Sequence, residues 1–408
     1  MKAIIHPSKL AGGISAPPSK SYTHRAIILA SLSCGKSIIE NPLISEDTSH
    51  TIAACQALGV KIQIKNKTLE ITGLDGRFPN FNRTLKLFCG LSGTTIRLMT
   101  GVAALSPNEI ILEGEKRLNE RPIGDLISAL KSQGIDILSA NTQFPPIKIK
   151  GGMLRGGKIK ISGKTSSQFV SALLIIAPFA HKDTEIIVES LHSSPYVDIT
   201  IDLMETFGVN VEKSDGLFII KSHQRYKAKN YIVEGDFSSA SYFIAANKIT
   251  RSNISLDNLN PDSVQGDKIF MDILKKFKNK NNTFDLGNYP DIVPSVTIVA
   301  TVHDGKTTIT NIGHLRLKES DRIKALVQEF RKMGANIHAK KDGLVIEGNS
   351  LHGAKINTHN DHRITMSLAV AGLHALGDTV ISGAEVVNKS YPDFWKDLKK
   401  IGAHLELI

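Results

Sequence analysis

The stretch Ala57-Leu58-Gly59-Val60-Lys61-Ile62 decides the fold, because it recurs. A helical segment ending in an apolar residue, then Gly, then an alternating strand returns as Ser132-Gln133-Gly134-Ile135-Asp136-Ile137 and as Thr206-Phe207-Gly208-Val209-Asn210-Val211. It returns again as Lys332-Met333-Gly334-Ala335-Asn336-Ile337 and as Lys400-Ile401-Gly402-Ala403-His404-Leu405. The first three glycines are 75 and 74 residues apart (134 − 59 and 208 − 134), and the last two are 68 apart (402 − 334). Glycine at this place is the C′ residue that ends a helix in the left-handed conformation. A weakened copy, Leu274-Lys275-Lys276-Phe277, falls between Gly208 and Gly334, which makes six units. The period is too long for a solenoid, so these are supersecondary modules of an α/β protein. A chain of 408 residues implies two domains, and six modules divide into two groups of three. Ile232-Val233-Glu234-Gly235-Asp236 restarts the strand-turn-helix pattern and marks the boundary.

Several modules open a helix with small hydroxyl or acidic residues beside a cation or an amide. Pro17-Pro18-Ser19-Lys20-Ser21-Tyr22-Thr23-His24-Arg25, Ser92-Gly93-Thr94-Thr95-Ile96-Arg97 and Thr165-Ser166-Ser167-Gln168 each precede an apolar helix. So do Ser238-Ser239-Ala240-Ser241 and Asn360-Asp361-His362-Arg363. Arg316-Leu317-Lys318-Glu319-Ser320-Asp321-Arg322 precedes an amphipathic helix read from Ile323, Leu326, Val327, Phe330 and Met333, with Ser320 or Asp321 as N-cap. That makes six strand-to-helix turns for six modules. A hydroxyl cap leaves further N–H groups facing outward, the helix dipole favours negative charge, and Arg or Lys adds charge-assisted contacts. Ordinary capping is the plain alternative at any single turn; the recurrence of cations points instead to an anion site.

Three further residues stand out. Arg121 lies on the rigid turn Glu120-Arg121-Pro122, and Lys389 lies in the turn Asn388-Lys389-Ser390-Tyr391-Pro392. Asp291 is a lone carboxylate between Pro290 and the apolar run Ile292-Val293-Pro294. Burial there would raise its pKa toward the range of a general base; a plain turn aspartate is the alternative.

Composition excludes other classes. Apolar content of 41% and charged content of 22% are those of a soluble globular protein. Phe169 to Ala180, the longest apolar run, is too short to span a bilayer, and no leader pattern opens the chain. Cys34, Cys55 and Cys89 lack metal-ligand spacing and are too few for a disulfide framework, as expected of a cytoplasmic protein. The net charge of +11 invites a nucleic-acid reading, but the cations are spread along the chain, aromatics are only 6%, and no nucleic-acid-binding motif appears. A small, highly anionic substrate is the better use for cations held in ordered motifs.

Taken together, these runs resemble the 5-enolpyruvylshikimate-3-phosphate synthase family of enolpyruvyl transferases over nearly the whole chain. The resemblance rests on Ser19-Lys20-Ser21 with Arg25, Gly93-Thr94 with Arg97, Glu120-Arg121-Pro122-Ile123-Gly124, Ser166-Ser167-Gln168-Phe169 and Pro195-Tyr196-Val197-Asp198-Ile199. It continues through Glu234-Gly235-Asp236, Pro290-Asp291, Lys318-Glu319-Ser320-Asp321-Arg322, Asp361-His362-Arg363 and Lys389. It implies a two-domain inside-out α/β barrel with three βαβαββ modules per domain and a cleft between them. Residues 15–232 would form the shikimate 3-phosphate side, and residues 1–14 with 233–408 the phosphoenolpyruvate and catalytic side. The implied reaction moves the enolpyruvyl group of phosphoenolpyruvate to the 5-hydroxyl of shikimate 3-phosphate, with no cofactor and no metal.

By the same resemblance Asp291, Glu319 and Lys20 are the catalytic residues: Asp291 takes the hydroxyl proton, and Glu319 with Lys20 handles the proton at C3. Phosphoenolpyruvate would be bound by Lys20, Gly93, Arg97, Arg121, Gln168, Arg322, Arg363 and Lys389. Shikimate 3-phosphate would be held by Lys20, Ser21, Arg25, Ser166, Ser167, Gln168, Ser193, Tyr196, Asp291, His314 and Lys318. The resemblance further implies a monomer, inhibition by glyphosate, and neither a nucleic-acid nor a membrane partner. Pro18, Leu91, Leu98 and His314 depart from the family's common residues and bear on loop geometry. The related transferase acting on UDP-N-acetylglucosamine commonly carries a cysteine in the loop before the Arg-Pro turn; Leu112 to Glu120 contains none. The histidine signature of RNA 3′-terminal phosphate cyclases, a second relative, is not evident.

Overall fold

A computed structural model describes residues 1–408. The chain forms two compact units: Met1–Pro17 with Gly235–Ile408, and Pro18–Glu234. The backbone therefore crosses from one unit to the other twice, once at Pro17-Pro18 and once at Glu234-Gly235.

In the Pro18–Glu234 unit one sheet plan is used three times. Asn230–Ile232 runs parallel to Cys34–Glu40, which pairs antiparallel with Thr68–Leu74, itself antiparallel to Lys61–Lys65. Leu85–Phe88, Glu109–Glu113, Phe144–Lys150 and Asp136–Ala140 repeat that order, as do Gly157–Ser162, Thr184–Glu189, Leu217–Ile220 and Glu212–Ser214. The parallel pair needs a helical crossover, and in each module that helix is the most apolar one. Lys20–Leu32, Gly93–Ala103 and Ser167–Ile176 are buried on nearly every face, so they form the interior of the unit. Gly101 marks where two of them meet: a Cβ there would lie 2.9 Å from the carbonyl oxygen of Ala172.

Two modules of the other unit follow the same plan, through Asn281–Asp285, Lys306–Thr310, Gly343–Glu347 and Asn336–Lys340, and through Lys355–Asn357, Thr379–Ser382, Lys2–Ile5 and Leu405–Leu407. The repeat glycines behave as the sequence pattern requires. Gly59, Gly134, Gly208, Gly334 and Gly402 all have φ between 85° and 96°.

The sixth module differs from the expected one. Its sheet is only Ala11–Ser15 parallel to Asn253–Asp257. The helix Phe270–Lys276 ends without a left-handed glycine, and the next strand, Asn281–Asp285, already belongs to the following module. The weakened copy in the sequence is thus a truncated module with no antiparallel pair. On the outer edge of Asn253–Asp257 the Asn247 side-chain amide accepts from the Ile254 N–H at 3.1 Å and approaches its carbonyl at 3.5 Å, standing in for a peptide of the missing strand.

The helix starts also need one reassignment. The first helix in the module of Asp291 is Val293–Val302, whereas Arg322–Lys332, which follows the charged run, is that module's second helix.

Candidate active site

In the unit that contains Gly235–Ile408, five of the residues singled out in the sequence converge with one more, Asp361. Asp321 is the N-cap of Arg322–Lys332, accepting from the Lys324 N–H at 3.0 Å, and its carboxylate also takes Arg316 at 3.1 Å. Arg316 and Asp321 therefore fix the turn. The turn delivers Glu319, and the first helical residue, Arg322, points inward with only 1% of its side chain exposed.

Arg322 is surrounded by three carboxylates. Its Nε donates to Asp361 Oδ2 at 2.8 Å, its Nη1 to Asp291 Oδ1 at 3.2 Å, and its Nη2 to Glu319 Oε2 at 2.6 Å and Asp361 Oδ1 at 3.3 Å. Burial alone would pull the guanidinium pKa down. Asp361 foremost, then Glu319 and Asp291, more than offset this and hold it above the ordinary arginine value. Asp361 is completely buried and caps the helix His362–Gly372, accepting from the Arg363 N–H at 3.0 Å. Arg363 in turn donates from Nη2 to Asp291 Oδ2 at 2.7 Å, and Lys389 Nζ lies 3.7 Å from Glu319 Oε1.

Asp291 is therefore not the lone carboxylate among apolar residues that its sequence neighbours led us to expect. Its two guanidinium partners come from 31 and 72 residues away, beyond the reach of a local reading. His314 lies in the 3-10 turn Gly313–Leu317 and Lys318 directly follows it, both partly buried.

The same unit holds a carboxyl the sequence did not single out. Asp267 is buried and accepts from the Ser238 hydroxyl in the first turn of the helix Phe237–Thr250. Burial, then the nearby charge of Asp291, push its pKa up to about 7.

The Pro18–Glu234 unit carries the remaining residues. Ser19, Ser92 and Ser166 cap the three buried helices, as their positions predicted. Lys20 Nζ is 2.8 Å from Asp47 Oδ2. Asp47 was missed in the sequence, where its place in the first turn of Glu46–Ala57 was the available signal. Arg97 donates from Nη1 to Gln168 Oε1 at 2.8 Å and Ser166 Oγ at 3.2 Å, with its guanidinium 5.3 Å from the Phe169 ring centre. Gln168 Nε2 reaches back to Thr94 Oγ1 at 2.8 Å, closing a bridge between two helix starts. Arg121 lies against Gly93 so closely that a Cβ on Gly93 would be 2.7 Å from its Nη1.

Arg25 is held deeper. It donates to Thr200 Oγ1 at 2.7 Å, to the carbonyls of Ser21 and Tyr196 at 3.0 Å each, and to Ser171 Oγ at 3.3 Å. Burial lowers its pKa to about 10. Ser167 and Ser193 are buried, and Ser193 has a φ of 57° just ahead of the helix Pro195–Thr206. Leu98, one of the departures from the family's common residues, is fully buried in the core. No helix is long and apolar enough to cross a membrane.

Comparison with known proteins gives this geometry a family. A family model described as EPSP synthase (3-phosphoshikimate 1-carboxyvinyltransferase) matches residues 4–398. The chain is 41% identical to the 3-phosphoshikimate 1-carboxyvinyltransferase of Methanocaldococcus jannaschii, over 98% of this chain and 97% of that one. It is 42% identical to the protein of the same name from Methanosarcina mazei, over 100% of this chain and 99% of that one. A solved EPSP synthase from Acinetobacter baumannii superposes with a TM-score of 0.84 at 26% identity, covering 99% of both chains. The chain belongs to the EPSP synthase (3-phosphoshikimate 1-carboxyvinyltransferase) family, the enolpyruvyl transferases of the shikimate pathway.

Proposed function

We propose that the two units divide the family's reaction, with the Pro18–Glu234 unit providing the shikimate 3-phosphate side and the other unit the phosphoenolpyruvate and catalytic side. The reaction moves the enolpyruvyl group of phosphoenolpyruvate to the 5-hydroxyl of shikimate 3-phosphate. Phosphoenolpyruvate is unreactive until its C3 gains a proton, which makes C2 electrophilic; the acceptor hydroxyl then attacks C2 and gives up its own proton. Glu319 supplies the C3 proton, a step in which Lys20 also takes part, and Asp291 accepts the hydroxyl proton. Collapse of the adduct returns a proton from C3 and breaks the bond to the phosphate oxygen, which leaves with the electron pair.

Arg322, Arg363 and Lys389 bind phosphoenolpyruvate and neutralise the departing phosphate, with Lys20, Arg97, Arg121, Gly93 and Gln168 as its further contacts. Ser21, Arg25, Ser166, Ser167, Ser193, Tyr196, Asp291, His314 and Lys318 hold shikimate 3-phosphate, with Lys20 and Gln168 contributing to both ligands. The enzyme acts as a cytoplasmic monomer, and glyphosate competes at the phosphoenolpyruvate subsite.

The observation that carries this reading is the buried Arg322, with Asp291 and Glu319 on one side of its guanidinium and Arg363 and Lys389 close by. Two carboxylates among three cations, a set suited to a small polyanion with proton transfer beside it, support the reading. The test is phosphate release from phosphoenolpyruvate with shikimate 3-phosphate as acceptor and UDP-N-acetylglucosamine as control. Release with the first acceptor alone is expected; no release with it would overturn the reading.

A further inference from the structure

The guanidinium of Arg322 uses its two edges differently. The Nε/Nη2 edge is a side-on pair with Asp361, at 2.8 and 3.3 Å. Asp361 is 0% exposed, and its oxygens also accept from Ser320 Oγ at 3.0 Å and the Arg363 N–H at 3.0 Å. With these four donors its acceptor positions are filled, so it cannot turn away without orphaning a helix start. The outer Nη1/Nη2 edge instead carries two separate carboxylates, each through a single bond: Asp291 and Glu319. These are the reachable ones, with side chains 20% and 12% exposed.

That outer edge is the planar fork that takes one carboxylate through two parallel bonds. Charge makes the same point. Arg322, Arg363 and Lys389 are balanced by Asp291, Glu319 and Asp361, so the cluster is neutral before any substrate arrives. An anion added to this cluster meets no excess positive charge within it and competes with a resident carboxylate for each of its cations.

We propose that Arg322 is a carboxylate-exchange site in which Asp361 is the fixed positioning residue, while Asp291 and Glu319 occupy, in the empty enzyme, the place of the substrate carboxylate. This rests on the assignment of Arg322 to phosphoenolpyruvate. Binding displaces both residents from the outer edge; Asp291 then accepts the hydroxyl proton, Glu319 takes up a proton from solvent and passes it to C3, and Asp361 keeps the guanidinium aimed throughout. The two catalytic carboxylates thereby compete with the substrate they serve.

The test is the affinity of phosphoenolpyruvate for the full-length enzyme by calorimetry, together with steady-state KM and kcat. Asp291→Asn and Glu319→Gln each remove a competing charge and are expected to bind phosphoenolpyruvate about three- to tenfold more tightly than wild type while turnover collapses. Equal or weaker binding in both would overturn the exchange. Asp361→Asn keeps the N-cap acceptor and loses the charge; its KM for phosphoenolpyruvate is expected to rise about tenfold or more, with KM for shikimate 3-phosphate little changed. An unchanged KM for phosphoenolpyruvate, or an equal rise for both substrates, would overturn the role of Asp361.

Action through Arg322 further requires that Asp361→Asn add nothing to Arg322→Lys. Should Asp361→Asn not fold, Ser320→Ala perturbs the same carboxylate through one bond. About a threefold weakening for phosphoenolpyruvate is then expected, and none would count against the proposal. Wild-type affinity in Arg322→Lys is a separate outcome, which would remove the assignment of Arg322 to this substrate.

Discussion

Lowering the pH from 7 to 5 should destabilise the Pro18–Glu234 unit through one residue, His24. It belongs to the helix Lys20–Leu32, and its buried imidazole has Nδ1 2.7 Å from Thr51 Oγ1 and no hydrogen-bond partner for Nε2. Burial pushes its pKa from 6.5 down to about 3; Asp47 opposes this, while Lys20, Arg25 and His50 add to it. The unfolded chain takes up a proton below pH 6.5 that the folded unit refuses. This residue's contribution is therefore intact above that pH and is lost as the pH falls toward 3. At pH 5 the gap is about 1.5 pH units, or about 2 kcal/mol, and the limit below pH 3 is about 5 kcal/mol.

His24→Asn keeps a polar group opposite Thr51 and cannot take a charge. Urea unfolding followed by circular dichroism at both pH values isolates the effect, because the other titrating groups are common to both proteins. Wild type should lose about 2 kcal/mol more than the variant between pH 7 and pH 5. An equal loss in both would refute the argument. The site is touched as well, since Thr51 bonds Thr95 at 2.7 Å and Thr95 bonds the cap residue Ser92 at 2.8 Å, so acid acts on the helix start that holds Gly93 and Arg97.

Three other outcomes are expected. Glu319→Gln should lower kcat by about 10²- to 10⁴-fold without weakening ligand binding, and a matching loss of phosphoenolpyruvate affinity would make Glu319 a structural residue. Asp267, with a folded pKa of about 7 against an ordinary 3.8, disfavours folding progressively as the pH rises from 4 to 7. Asp267→Asn should therefore match wild type near pH 4 and exceed it at pH 8 by a few kcal/mol, on the order of 4, in denaturant titrations; parallel pH profiles would rule this out. Gly101→Ala gains about 1 kcal/mol of helix propensity but drives a Cβ to 2.9 Å from the Ala172 carbonyl oxygen, so a lower Tm is expected, and a higher one would show that the two helices can part.

The fold was legible where backbone conformation restricts residue choice. A left-handed φ after a helix selects glycine at 59, 134, 208, 334 and 402, and that spacing gave the modules. Ser19, Ser92 and Ser166 were readable as caps because capping is local. The exchange of first strands was not readable from periodicity: Ala11–Ser15 leads toward the helix Lys20–Leu32 but pairs with Asn253–Asp257, while Asn230–Ile232 pairs with Cys34–Glu40. Nor did the Leu274 to Phe277 pattern reveal that no antiparallel pair follows it. In the candidate site, Lys20, Arg97, Arg322 and Arg363 stood out by their place at helix starts, and Arg121 and Lys389 by their turns, but their partners did not stand out. Asp361 meets Arg322 across 39 residues and Asp47 meets Lys20 across 27, and both carboxylates looked like helix-start residues and nothing more.

The repeat also accounts for why the site is where it is. In five of the six modules the polar residue at the start of the first helix is spent on the backbone. Ser19, Ser92, Ser166, Asp236 and Asp361 each accept from an N–H of the helix they open. The sixth start is built otherwise. Val293–Val302 begins after Ile292, which has no side chain able to cap, and Pro294 in its first turn removes one of the donors a cap would serve. Asp291 stands one residue before that position, and its carboxylate meets Arg322 and Arg363. Five equivalent carboxylate or hydroxyl positions hold the scaffold together. At the sixth, an apolar cap with a proline behind it puts the carboxylate one residue earlier, paired with two arginines, where the proposed reaction needs its proton acceptor.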